Sequence, residues 1–503
     1  MEQEITRKRL HPMMLVGTGS DVGKSVIATA FCRIFRQDGY RPAPFKAQNM
    51  ALNSFATPEG LEIGRAQAVQ AEAAGIPCHT DMNPLLLKPQ SDHTSQVVLN
   101  GRPIGNRSAY EYFRREGREE LRKEVCDAYD RLAARFNPIV LEGAGSISEI
   151  NLRDTDLVNM PMALHAGADV FLVGDIDRGG VFASVYGSLA LLRPKERRLV
   201  KGILINKFRG DLRLFDSGVK MMEDLCGIPV LGVIPYYKDI VIEEEDSVSL
   251  AAKSMEAQWG KVNVAIVLLR HLSNFTDFNA LEQDPRVHLF YTNNVQELAK
   301  ADIIILPGSK STIDDLAELR RNGVAGAILR ARREGATVLG ICGGYQMMGR
   351  EILDPDRVEG DTERLPGLGL LPVRTRMTKD KVTRQVHFSL SDGKAEGMEG
   401  YEIHMGQTFP DEGEKSLPLT LLADGTTDGY RVDEHCMGTY LHGILDNQPF
   451  IDYLLAPYAG KIQERTAFDY HAFKEEQYDK LAAHVRSHVD IPLLYNILTT
   501  DRL

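Results

Sequence analysis

The chain has 503 residues, too many for one ordinary hydrophobic core, so two or more domains are expected. Its 43% hydrophobic and 26% charged residues exclude a disordered or fibrous chain. With 59 basic against 70 acidic residues, the net charge of −11 argues against a general binder of nucleic acid or anionic membrane.

The start of the chain lacks the apolar centre of a secretory signal, and no apolar run approaches the ~18 residues of a spanning helix. Cys32, Cys78, Cys126, Cys226, Cys342 and Cys436 are scattered without a C-x-x-C pair. That argues against a structural zinc site or a disulfide framework, and a cytoplasmic location is expected. The sequence is silent on oligomeric state.

In chain order, residues 11–16 read as a strand, 24–37 as a helix and 41–45 as a second strand. Further strands are expected at 138–141, 169–174, 200–205 and 229–234. Short apolar runs separated by helical stretches predict an α/β domain with a parallel sheet. Gly17, Glu142, Asp175 and Asn206 fall just after strands, where open α/β sheets bind ligands.

The first turn of this pattern, Gly17-Thr18-Gly19-Ser20-Asp21-Val22-Gly23-Lys24-Ser25, reads as a phosphate loop. A glycine-rich loop opening a helix offers backbone N–H groups and a favourable helix-end field to ATP. Lys24 is placed to reach the outer phosphates, and the Ser25 hydroxyl to hold Mg²⁺. The spacing departs from G-x-x-x-x-G-K-[ST], because Thr18 stands where the first glycine is usual and Gly17 one residue earlier. Glu142, opening Glu142-Gly143-Ala144-Gly145, is a second candidate for Mg²⁺. Lys46 can offset charge on a transferring phosphoryl group, and Asn206 can read the adenine. Asp175, Asp177 and Arg178 are candidates to face substrate.

The pattern breaks over residues 238–261, where Glu243-Glu244-Glu245-Asp246 forms an acidic run. A linker is expected there, separating residues 1–237 from 262–450, with a helical tail over 451–503. Strands resume at 262–269, 302–306, 337–341 and around 437–441. Asp424-Gly425 and Asp428-Gly429 predict hairpin turns.

Cys342 lies in Gly340-Ile341-Cys342-Gly343-Gly344, between a strand and a helical run. The flanking glycines permit a strained turn that lifts a thiol nucleophile above a sheet. Helix N-terminal amides, here from Gly343, favour the thiolate and an oxyanion, and Gly308 in Pro307-Gly308-Ser309 is a second oxyanion candidate. A thiolate needs a proton-transfer partner. His442 at the end of a late strand is the first candidate, and His404 a rival.

The phosphate loop resembles that of the dethiobiotin synthetase group. Gly340-Ile341-Cys342-Gly343-Gly344-Tyr345-Gln346 resembles the nucleophile segment of class I glutamine amidotransferases, a flavodoxin-like α/β fold. In that class a glutamate stands two residues after the histidine; here the position is Ile444, as is typical of the cobyrinate and cobyrate synthase type. Phe45-Lys46-Ala47-Gln48-Asn49-Met50-Ala51-Leu52-Asn53, Gly174 to Phe182, Asn206 to Gly210 and Gly400 to His404 are similar to segments of the cobyric acid synthase family. The resemblance implies amidation of the b, d, e and g carboxylates of adenosylcobyrinic acid a,c-diamide, with ATP, Mg²⁺, glutamine and a corrinoid acid. It adds Gln48 and Asn49 as substrate candidates.

Residue chemistry alone supports an amide ligase that uses ATP and glutamine. A carboxylate is a poor acyl donor until phosphorylated, and ammonia from a thiol glutaminase avoids the ammonium that dominates at neutral pH. Two alternatives stay open: cobyrinic acid a,c-diamide synthase, or a nucleotide-switch protein with a non-catalytic amidotransferase-like domain. Against the second, the signature lysine of partition ATPases is replaced by Gly19.

Overall fold

The computed structural model describes residues 8–89, 94–108, 118–243, 253–258, 260–360, 362–462 and 468–500. Most of the acidic run in the expected linker, Glu244 to Asp246, lies outside them. The chain forms two compact units. One comprises Met1–Met50, Ile63–Ile242 and Lys474–Leu503; the other comprises Ala51–Glu62 and Glu243–Phe473.

The first unit is built on β1 (Met13–Gly17), β2 (Ala43–Phe45), β3 (Ile139–Glu142), β4 (Asp169–Asp175), β5 (Val200–Phe208) and β6 (Val230–Pro235). They form one sheet in the order β6-β5-β4-β1-β3-β2, all neighbours parallel. Every residue of β1 is buried, as its unbroken apolar run requires of a strand covered on both faces. Helix α1 (Lys24–Gln37) buries Ile27, Phe31, Ile34 and Phe35, one stripe at helical spacing. A second helix, α2 (Arg65–Ala74), is buried along nearly its whole length.

Parallel register brings the strand ends to one edge. Leu15 of β1 lies beside Glu142, Gly17 beside Val173, and Asp175 beside Asn206. A smaller sheet of Gln48–Met50, Leu85–Pro89, Thr94–Leu99 and Arg102–Ser108 was not anticipated, because its strands are short and polar at their ends.

The end of the chain completes the first unit. Leu481, Ala482, Val485, Leu494 and Leu498 share a core with Ile27 and Phe31 of α1. Arg33 bonds Asp479 at 2.7 Å and Glu475 at 2.9 Å, and the Tyr495 ring packs edge-on against Phe35.

The second unit contains β7 (Val262–Val267), β8 (Val287–Thr292), β9 (Ile303–Leu306), β10 (Thr337–Ile341), β11 (Val373–Leu390), β12 (Met398–Pro410), β13 (Tyr430–Asp433), β14 (Cys436–Thr439) and β15 (Leu441–His442). The main sheet runs β8-β7-β9-β10-β14-β13, parallel except at β13. A second sheet centres on the long antiparallel pair β11 and β12, with β15 on the free side of β12. The turn at Asp424-Gly425 joins paired strands, as expected. The one at Asp428-Gly429 does not: it carries the chain from the second sheet to β13 of the main sheet. A glycine turn sets a local reversal and leaves the choice of strand partner to packing.

Candidate active site

In the first unit the loop after β1 wraps toward the start of α1. Gly23 has φ 94°, a left-handed conformation open to glycine, and a Cβ there would lie 2.2 Å from the Asn206 amide nitrogen. Asn206 Nδ2 donates to the Val22 carbonyl at 2.8 Å, and the Thr18 amide to Val173 at 3.0 Å. Gly17 ends β1. Lys24 Nζ donates to the carbonyls of Gly19 at 3.0 Å and Gly145 at 3.1 Å, which holds the ammonium across the loop mouth.

A charged cluster lies behind the loop. Glu142 Oε1 accepts from Ser25 Oγ at 2.7 Å and pairs with Lys46 Nζ at 2.9 Å; its Oε2 accepts from Gln70 Nε2 at 2.8 Å. Burial would raise the Glu142 pKa, but the Lys46 charge and these three hydrogen bonds outweigh it and hold the carboxyl below its usual value. Gln70, on α2, was missed by the sequence reading. Its Oε1 is buried without a hydrogen-bond partner beside these oxygens. The Ser25 hydroxyl and the Glu142 carboxylate are hard oxygen donors of the kind Mg²⁺ takes, and the unpartnered Gln70 oxygen belongs to the amide that bonds Glu142.

The remaining first-unit candidates make contacts of their own. Asp175 pairs with Lys207 at 3.1 Å and lies 3.9 Å from Arg178, which also reaches Asp21 of the loop at 3.4 Å. Asp177 is bridged to Arg209 at 2.6 Å. Asn49 donates to Gln67 Oε1 at 3.0 Å. Gln48 lines a cavity of about 180 Å³ with Gly145, Ser146, Glu149, Arg153 and Asn159. The cavity shares a wall with the phosphate loop, because Ser146 Oγ donates to the Thr18 carbonyl at 2.9 Å.

In the second unit Cys342 follows β10 with φ 52° and opens α3 (Gly343–Met348). Such a strained conformation in a non-glycine residue persists only where its surroundings enforce it. Here the enforcement is close packing: a Cβ on Gly344 would lie 1.9 Å from the Leu306 carbonyl oxygen. The sulfur lies 3.6 Å from the Ile403 carbonyl. Gly308 borders the histidine, since a Cβ there would be 3.4 Å from His442 Cε1.

His442 is buried at the end of β15. Its Nδ1 is 2.6 Å from Asp277 Oδ2, while Asp277 Oδ1 accepts from the Gly443 amide at 3.2 Å. Burial would lower the His442 pKa, but the Asp277 charge, the bond to Asp277 and the hydrogen bond with Cys342 push it up to about 10. His404 differs. Its Nδ1 bonds the Gly406 carbonyl at 3.0 Å, its ring stacks on Tyr440 at 3.8 Å, and burial followed by the His442 charge pushes it down to about 4. Ile444 is fully buried.

Asp277 was also missed by the sequence reading. The signal was slight: one acid between Phe275 and Phe278, an apolar frame in which a carboxylate needs a partner.

Residues 13–250 match a family model described as a CobQ/CobB/MinD/ParA nucleotide binding domain. Residues 263–450 match one described as a CobB/CobQ-like glutamine amidotransferase domain. The protein is thus an amide ligase that uses ATP and takes nitrogen from glutamine. The chain is 78% identical over 494 residues to cobyric acid synthase of Bacteroides fragilis, covering 98% of this chain and 99% of that one. It is 59% identical to cobyric acid synthase of Parabacteroides distasonis, covering 97% and 99%. To that of Salmonella arizonae it is 49% identical, covering 97% and 98%. The chain belongs to the cobyric acid synthase family, whose amidation reactions serve cobalamin biosynthesis.

Proposed function

We propose that this protein amidates the b, d, e and g side-chain carboxylates of adenosylcobyrinic acid a,c-diamide, yielding adenosylcobyric acid. One observation carries the reading: the same chain holds a Ser25–Glu142–Lys46 cluster at a phosphate loop and a Cys342–His442–Asp277 relay. The division of labour assigns amide ligation to residues 1–237 and glutamine hydrolysis to 262–450. A cytoplasmic site fits the absence, among the described residues, of any helix long and apolar enough to cross a membrane.

In the ligase half, Gly17, Thr18, Gly23 and Lys24 cradle the ATP phosphates, and Asn206 braces the loop against the base end. Ser25 and Glu142, with Gln70 beside them, would hold Mg²⁺, which would supply charge neutralisation on the transferring phosphoryl group. Lys46 keeps Glu142 ionised and adds a second positive charge beside the phosphates. Gln48, Asn49, Asp175, Asp177 and Arg178 are assigned to the corrinoid carboxylate and its surroundings.

In the glutaminase half, Cys342 attacks the glutamine amide carbon. The Gly343 and Gly308 amides stabilise the oxyanion. His442 takes the thiol proton and gives it to the departing ammonia, leaving a thioester on Cys342. His442 then draws a proton from water, which releases glutamate. Asp277 holds the imidazole through Nδ1 so that the other ring nitrogen serves the sulfur.

The test is amidation of corrinoid acids with glutamine or with ammonium. Cys342→Ala is expected to lose glutamine use and keep ammonium use; Lys24→Ala is expected to lose both. Full glutamine-dependent activity in Cys342→Ala overturns the thiol assignment. Four amides added per corrinoid, rather than two, separates this reading from cobyrinic acid a,c-diamide synthase.

A further inference from the structure

The amidotransferase match begins at residue 263, yet the second unit also contains Ala51–Glu62, a strap from far upstream in the chain. The buried part of the strap is unusually polar: Asn53, Ser54, Thr57 and Glu62 are each at most 1% exposed. Its polar groups are matched one by one. Asn53 Oδ1 accepts from the Phe275 amide at 3.1 Å, and the Ser54 amide donates to Asn274 Oδ1 at 3.1 Å. Glu62 pairs with Lys381, and Gln385 Nε2 donates to the Ala56 carbonyl at 2.9 Å.

These contacts converge on the thiol site. Asn274 has φ 52° and begins the turn Phe275–Phe278 that carries Asp277. Its Nδ2 donates to the Tyr401 hydroxyl at 3.3 Å, and that hydroxyl donates to the Ser54 carbonyl at 3.4 Å. The Tyr401 ring stacks on the His442 imidazole, 5.3 Å between centroids and 23° between planes, and meets Phe55 of the strap edge-on at 4.6 Å. One strap therefore braces the turn holding Asp277 and the ring under His442. Apolar packing alone would need none of these polar pairings, each of which must be satisfied to be tolerated in a core.

Resting on the reading of Cys342 and His442 as a glutaminase, we propose that Ala51–Glu62 is a working part of that centre. Through Asn274 and Tyr401 it positions Asp277 and His442, so the amidotransferase domain delimited by sequence is incomplete without it. Asn53, Asn274 and Tyr401 are positioning residues: each fixes a group that acts on the sulfur.

The experiment uses the full chain and measures glutaminase kcat, KM for glutamine and the pH profile, with ammonium-dependent amidation as the control. Asn53→Ala and Asn274→Ala are expected to lower glutaminase kcat by about 10- to 100-fold, the scale of misplacing a reacting group by ~1 Å. KM for glutamine stays near the wild-type value, and the alkaline limb of the profile moves toward neutral as His442 loosens from Asp277. Tyr401→Phe keeps the ring and loses the hydroxyl bridge, giving a milder loss. Asn274→Asp keeps the acceptor for Ser54 and tolerates a positive φ, so it recovers most of the rate. Wild-type kcat and pH profile in both alanine variants overturn the proposal. So does loss of ammonium-dependent amidation in parallel with glutaminase, which marks a general fold defect. Failure of the glutaminase reading itself shows separately, as glutamine use by Cys342→Ala.

Discussion

At the scale of single residues, the Asp277–His442 pair sets the chemistry of the thiol site. In the proposed reaction, the buried carboxylate 2.6 Å from the buried His442 imidazole raises its proton affinity, which suits the group that takes the proton from Cys342. Asp277→Asn keeps the shape and removes the charge. It is expected to lower glutaminase kcat by about 10²- to 10⁴-fold, because an amide oxygen kept on the Gly443 N–H turns the NH2 toward Nδ1 and imposes the wrong imidazole tautomer. Stability carries the same signature. The folded pKa of His442 lies above its ordinary 6.5, at about 10, so this contribution is full below 6.5 and disappears as pH rises through 10. Denaturant titrations of the wild type across that window should show falling stability, and Asp277→Asn should show a flatter response. An equally steep fall in the variant contradicts the assignment of the proton to His442.

At the scale of elements, strand ends and tight turns place every group. In the nucleotide unit, parallel register alone brings Gly17, Glu142, Asp175 and Asn206 to one edge, and the alternation of apolar runs and helices made that edge legible in the sequence. The loop then depends on close approach. Gly23→Ala meets both φ 94° and the Asn206 amide 2.2 Å away. The strain is on the order of 1–3 kcal/mol. Isothermal titration with ATP and Mg²⁺ should show weakened or absent nucleotide binding, while glutaminase activity measured alone persists. The long pair β11 and β12 escaped the sequence reading. Its alternating, half-buried residues carry less signal than the fully buried strands beside it. That pair presents Tyr401 next to His442 in register.

At the scale of the whole chain, neither unit is a continuous stretch of sequence. The first closes with Lys474–Leu503, and the second includes Ala51–Glu62. The tail buries Leu481, Val485, Leu494 and Leu498 in the core of the nucleotide unit. Side chains of this size contribute about 1.5–3 kcal/mol each, a sum comparable with the ~5–15 kcal/mol net stability of a domain. Deleting residues 474–503 should therefore leave the nucleotide unit unfolded or insoluble. Soluble expression with full ATP binding would show the tail to be dispensable.

The sequence by itself determined the two chemistries and their order along the chain. The phosphate loop and the Gly340-to-Gly344 elbow are local motifs, in which neighbours in sequence are neighbours in space. Lys46, Glu142 and His442 were legible because each sits at or just beyond a strand end. The tertiary structure alone decided what orients His442, what completes the oxygen cluster around Glu142, and where the strap and tail belong. Asp277 and His442 are 165 positions apart, as are Glu142 and Gln70 by 72, and no local pattern encodes such pairings. They exist because a buried charge or amide must find a partner, and only the folded chain shows which partner lies within reach.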